Sequence, residues 1–135
     1  MWIMRSILVV LLLAGSVSDA RIRVVDNRIS YSVMLLGLCR MLLSGNLLCF
    51  FGGVLAFLLL GTPALLGKGI GGADVKIAVG LGCYFGMLFI MRLLLWTFLL
   101  ALCTCFFLKF IKKKGIQTIP LIPFMFAATL FLALH

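Results

Sequence analysis

The sequence contains no glutamate, and its 135 residues include only three acidic side chains, Asp19, Asp26 and Asp74. Its one histidine, His135, is the last residue. These gaps exclude chemistry. A zinc helix of the HExxH kind cannot be written without Glu, and a Ser-His-Asp or Cys-His site would have to draw its imidazole from the chain end. Cys39, Cys49, Cys83, Cys103 and Cys105 form no CxxC pair and all lie in apolar stretches. They read as small buried hydrophobes rather than a metal or disulfide framework, so no metal and no cofactor is expected. Charge is scarce too, at 11% of residues against about 25% in an ordinary soluble domain.

What is abundant is apolar: 65% of residues are hydrophobic and the mean hydropathy is +1.34. A water-soluble globule of this length has no core large enough to hide that surface. The expected fold is all-α, a polytopic membrane helix bundle in one domain over residues 1–135. Six segments approach the roughly 20 residues needed to cross a bilayer. They are 2–18 (interrupted by Arg5), 29–43 (carrying Arg40), 47–66, 75–91, 93–111 (with Lys109 near its end) and 119–134. The first segment also has the outline of a signal peptide, with Arg5, an apolar run over 7–14 and Ser16-Val17-Ser18 as a cleavage site. The basic residues that follow argue against export of that end.

Positive residues set orientation. With the N-terminus outside, the inner segments 19–28, 67–76 and 109–118 hold Arg21, Arg23, Arg28, Lys68, Lys76, Lys109, Lys112, Lys113 and Lys114. Arg5, Arg40 and Arg92 fall toward the outside, where long side chains snorkel. The net charge of +9 is therefore topological: a polybasic loop beside a membrane helix anchors to lipid headgroups, and no nucleic-acid partner is implied.

Topology also places the acids. Segment one runs inward and ends at Asp19; segment four runs outward and begins at Asp74. Two carboxyl groups 55 positions apart thus arrive at one level, the cytoplasmic membrane boundary. The bland alternative is that both are boundary residues capping helices. The chain before Asp74 reads Gly67-Lys68-Gly69-Ile70-Gly71-Gly72-Ala73-Asp74-Val75-Lys76. A glycine run lets another backbone approach closely, as a protease must allow. It is no phosphate loop: Gly61 and Gly67 are one residue too far apart, and Lys68 precedes Gly69 rather than Ser or Thr. Nor does a dinucleotide strand precede it. Glycines 80, 82 and 86 in segment four, and Gly52-Gly53 in segment three, read as close helix packing.

Gly71-Gly72-Ala73-Asp74-Val75-Lys76 resembles the signature of the GxGD-type aspartyl membrane proteases, specifically the type IV prepilin leader peptidases. Asp19-Ala20-Arg21-Ile22-Arg23-Val24-Val25-Asp26-Asn27 resembles that family's other signature, and Ile119-Pro120-Leu121-Ile122-Pro123-Phe124 resembles the start of its closing helix. The three occur in family order. The resemblance implies Asp19 and Asp74 as the catalytic pair, with Gly71, Gly72, Ala73 and Lys76 as loop or substrate-binding candidates. It departs from the pattern at Ala73, where the motif has Gly, and at Asp26, where Pro is usual. Larger members carry an N-terminal four-cysteine zinc segment associated with methylation. The likeness here is to the short, peptidase-only form found with tight-adherence pilus systems.

The implied activity is removal of the short basic leader from prepilins or prepilin-like proteins at the cytoplasmic membrane. Two carboxylates do this without a metal, one ionised and taking a proton from water, one protonated and donating to the scissile carbonyl. Asp74 begins a helix and Asp19 ends one, which casts Asp74 as base and Asp19 as acid; Arg21 and Arg23 push Asp19 the other way. Lys76 either binds a substrate carboxylate or anchors its helix. The competing readings are an inactive homologue, a non-enzymatic accessory subunit of a pilus or secretion complex, and an ion-coupled transporter. The last would need a carboxylate near the bilayer midplane. Neither the pilin partner nor the oligomeric state is legible.

Overall fold

The computed structural model describes residues 2–22, 27–67, 71–111 and 121–134. Asp26, Arg23, Lys68, Lys112-Lys113-Lys114 and the Ile119-Pro120 pair lie outside them. Among the described residues every regular element is helical. The helices are α1 (Trp2–Ile22), α2 (Asn27–Ser44), α3 (Leu47–Leu65), α4 (Gly72–Phe85), α5 (Met87–Ile111) and α6 (Ile122–Leu134).

Local chemistry sets the boundaries. Gly45, at φ +60°, ends α2 in the left-handed conformation that glycine adopts without strain, and its N–H reaches the Met41 carbonyl at 3.0 Å. In α3 the stretch Phe57–Gly61 winds as a π-turn just ahead of Pro63. A proline there has no N–H to give to the preceding turn, and a local widening accommodates it. The join between α4 and α5 departs from the expected one. The sequence places it near Arg92, whereas the structure breaks at Gly86, φ +92°, and carries α5 unbroken through Arg92. Gly86 reads in the sequence as a packing glycine; its backbone conformation makes it a corner instead.

Contacts along the helices fix their directions. Lys76 meets Asn27 and Tyr31, Gly80 lies against Val33, Met34 and Gly37, and the Arg40 guanidinium sits 5.5 Å from the Tyr84 ring centroid, so α2 and α4 run parallel. Gly53 opposes Cys83, Gly52 opposes Gly82, and Leu48 approaches Gly86, so α3 runs antiparallel to α4. Asp19 meets Ile122, while Leu8 and Val9 share a wall with Thr129 and Leu130, so α1 and α6 are antiparallel.

α4 is the hub, and glycine makes it one. A Cβ at Gly80 would stand 2.7 Å from the Val33 carbonyl, and one at Gly37 would run into the Gly80 carbonyl. On the other side, a Cβ at Gly52 would stand 2.5 Å from the Gly82 carbonyl. Backbones this close gain contact along their whole length, as small residues allow between apolar helices. Leu8, Leu12, Val33, Leu60, Ile77, Leu81, Ile90, Leu93 and Met125 fill the core. The outside is apolar too: Leu35, Leu42, Leu47, Leu102, Phe106 and Phe107 are each more than 60% exposed. By length and composition, Leu47–Leu65 and Met87–Phe107 suffice to cross a bilayer, and Ile122–Leu132 is a shorter apolar helix.

Candidate active site

One end of the bundle gathers the C-terminus of α1 and the N-termini of α2, α4 and α6. Both described aspartates are there, just past the apolar stretches 2–18 and 75–91. Asp19 stands in the last turn of α1 and is 92% buried, at 8% exposure. Its carboxyl accepts a hydrogen bond from the Ile122 N–H, in the first turn of α6. Its Oδ2 is buried with no partner. Asp74, half-buried, is the third residue of α4, and its Oδ2 accepts from the Gly71 N–H at 3.3 Å, tying the carboxyl back over the helix start.

The two carboxyl groups are close enough to feel each other's charge. Burial raises the Asp19 pKa, with the Ile122 N–H pulling the other way. Asp74 is pushed up to about 6, first by burial, then by the negative charge of Asp19, with the Gly71 N–H opposing. Both carboxyls are thus held above the ordinary carboxylate range, and the charge of Asp19 favours a proton on Asp74. Asp19 ends its own helix but also lies on the N-terminus of α6, where a carboxylate is stabilised.

The loop candidates divide. Gly71 is extended, φ −71° and ψ 142°, and a Cβ there would touch Asp74 Oδ2 at 3.4 Å, so its lack of a side chain leaves that carboxylate room. A Cβ on Gly72 would meet nothing within 4 Å. Ala73 is an ordinary second helical residue. No left-handed conformation is required where the motif has Gly, and Ala introduces no strain. Lys76 turns away from the carboxyl groups. Its Nζ donates to Asn27 Oδ1 at 3.4 Å and lies 4.1 Å from the Tyr31 ring centroid, clamping the start of α4 to the start of α2.

A cavity of about 610 Å³ opens at the other end of the bundle, between Arg5, Leu8, Phe85, Phe89, Phe126 and Thr129. It is remote from the aspartates and contributes nothing to this site. Sequence reasoning missed the Ile122 N–H, the Asn27–Tyr31 seat of Lys76, and Ser30, whose buried hydroxyl has no partner. Only Asn27 carried a signal, as the last residue of the first signature.

The arrangement is two carboxyl groups from distant parts of the chain, each raised by burial and one by the charge of the other, with Gly71 and Gly72 beside them. The chain matches the type IV leader peptidase family over residues 6–108, a stretch that contains both aspartates and stops before α6. Neither a curated protein nor a solved structure matches it significantly.

Proposed function

The chain belongs to the type IV leader peptidase family, and from that premise we propose that it is a membrane aspartyl endopeptidase. It removes the short basic leader of prepilins or prepilin-like proteins at the cytoplasmic face. The observation that carries this reading is the meeting of Asp19 and Asp74 at one end of the bundle, with the charge of one raising the pKa of the other. A lone capping aspartate has no such partner.

The chemistry follows from that asymmetry. Asp19, ionised, accepts a proton from a water molecule as its oxygen attacks the scissile carbonyl carbon. Asp74, protonated, donates to the carbonyl oxygen and stabilises the tetrahedral intermediate. Collapse breaks the C–N bond, the departing amine takes the proton held by Asp19, and the intermediate returns a proton to Asp74. An extended substrate backbone enters beside Gly72, where an added Cβ would meet nothing within 4 Å.

The apolar exterior and the excess of basic residues in segments 19–28, 67–76 and 109–118 support a multi-pass protein of about six spans. Its N-terminus is then outside and its aspartate end at the cytoplasmic boundary, where a leader is presented. Co-expression with a prepilin from the same genome, read by gel mobility and N-terminal sequencing, tests the proposal. Cleavage by wild type and Asp26→Asn but not by Asp19→Asn or Asp74→Asn is the expected result. A folded, membrane-inserted wild type that cleaves no local prepilin would move the reading to the inactive homologue or accessory subunit.

A further inference from the structure

Two of the buried hydroxyls among the described residues bond their own backbone. Thr97 and Thr129 each donate to the carbonyl four residues back, at 2.7 Å and 2.6 Å, and even exposed Ser32 does so at 2.8 Å. Ser30 does not, and neither does Tyr84, which lies at the opposite end of α4 from Asp74. Ser30 is 0% exposed and its Oγ has no hydrogen-bond partner. An unpaired buried hydroxyl loses its hydrogen bonds to water without replacement, so its place in the fold matters.

Its neighbours locate it. Ile29 packs against Gly15 of α1, one turn before Asp19. Asn27 and Tyr31 hold Lys76 of α4, two residues after Asp74. Ser30 also continues the buried stripe Ser30, Val33, Gly37 by which α2 meets α4. It therefore sits in the wedge between the two helices that carry the aspartates. Side chains tilt toward the N-terminus of their own helix. Ser30 thus leans toward the aspartate end, and Asp19, on an oppositely directed helix, leans into the bundle. Asp19 Oδ2 is the other buried, unpartnered oxygen at this end.

We propose that Ser30 is a positioning residue for the aspartate pair: its hydroxyl and Asp19 Oδ2 together hold one water molecule in the wedge between α1, α2 and α4. Neither atom has a direct partner, and a single water supplies what both lack, an acceptor for the hydroxyl proton and a donor for the carboxylate. The consequence for Asp19 is that its ionised form gains a donor and its orientation is fixed. That this assists peptide hydrolysis rests on the function proposed above; the water site itself does not.

The scarcity of acids makes the test clean. With Asp26→Asn and Asp74→Asn in place, Asp19 is the one aspartate left and there is no Glu, so a side-chain carboxyl infrared band belongs to it. The charged groups around it, Arg21 on its own helix, Arg28 on α2 and Lys76 on α4, are the same in every variant compared, and α6 carries no charged side chain. Adding Ser30→Ala is expected to raise the Asp19 titration midpoint by about one pH unit, a tenfold change in proton affinity. It should also abolish a water O–H band that shifts in H2(18)O. Ser30→Thr, which keeps the hydroxyl, should restore both. If Ser30→Ala does not insert, Ser30→Cys, a weaker donor of similar size, is read the same way. An unchanged midpoint and water band would overturn the inference even if the wild type cleaves prepilin. A shifted midpoint in a protein that cleaves nothing would leave the water site standing and remove the proposed function.

Discussion

The raised pKa of Asp74 has a direct consequence for activity against pH. In the proposed mechanism Asp74 is the donor, so activity needs it protonated, and burial with the charge of Asp19 pushes its pKa up to about 6. The base limb of kcat/KM, which reports groups of the free enzyme, should therefore lie near that value. About half of the Asp74 carboxyl is protonated at pH 6 and about one part in a hundred at pH 8, so kcat/KM should fall roughly fiftyfold between them. The cause can be taken apart. Burial is the larger contribution and the charge of Asp19 the smaller. Asp19→Asn should lower the Asp74 pKa yet leave it above the ordinary carboxylate value of 3.8. The stability sign follows from the same shift. A carboxyl whose pKa is raised on folding favours the folded state most while protonated, so its contribution is present below 3.8 and lost as pH rises through about 6. The assay is hydrolysis of a synthetic prepilin peptide by the protein in nanodiscs from pH 4.5 to 9, with infrared titration of Asp74 in the inactive Asp19→Asn protein. A kcat/KM that stays flat up to pH 8, or an Asp74 midpoint unmoved by Asp19→Asn, would refute the assignment.

The glycine contacts separate packing from access. Gly80→Ala drives a methyl into the Val33 carbonyl at 2.7 Å and should lower stability by about 1–3 kcal/mol, as overpacking does, seen as a lower unfolding temperature in detergent. Gly72→Ala meets nothing within 4 Å and should leave that temperature unchanged while raising KM for an extended peptide. Lys76→Met removes the hydrogen bond to Asn27 and the contact with the Tyr31 ring. It should cost about 0.5–1 kcal/mol of stability and slow hydrolysis through looser seating of α4, and Lys76→Arg should recover part of both. A rise in KM alone, with stability intact, would instead make Lys76 a substrate contact.

The segments that read clearly in the sequence were those fixed by local composition. The apolar runs became helices, the glycines before Asp74 mark a helix start, and alternation of direction was enough to bring Asp19 and Asp74 to one end. What stayed hidden depends on which helices touch. Gly86 looked like the second half of a GxxxG pair because spacing does not reveal φ; the structure makes it the corner between α4 and α5. The sequence shows that Asp19 ends α1, but not that the start of α6 lies against it. Ser30 had no signal at all. A serine in an apolar helix ordinarily bonds its own backbone, and only its burial without a partner marks it.

The central claim is that Asp19 and Asp74 act as one unit on a peptide bond. The most direct measurement is single-turnover cleavage of a prepilin peptide by purified wild type, Asp19→Asn, Asp74→Asn and the double variant, each checked for insertion and unfolding temperature. Residues that share one step lose nearly everything on the first removal. Each single variant should fall by on the order of a thousandfold or more, with the double no slower than either. A single variant that keeps wild-type turnover, or losses that multiply in the double, would contradict the account.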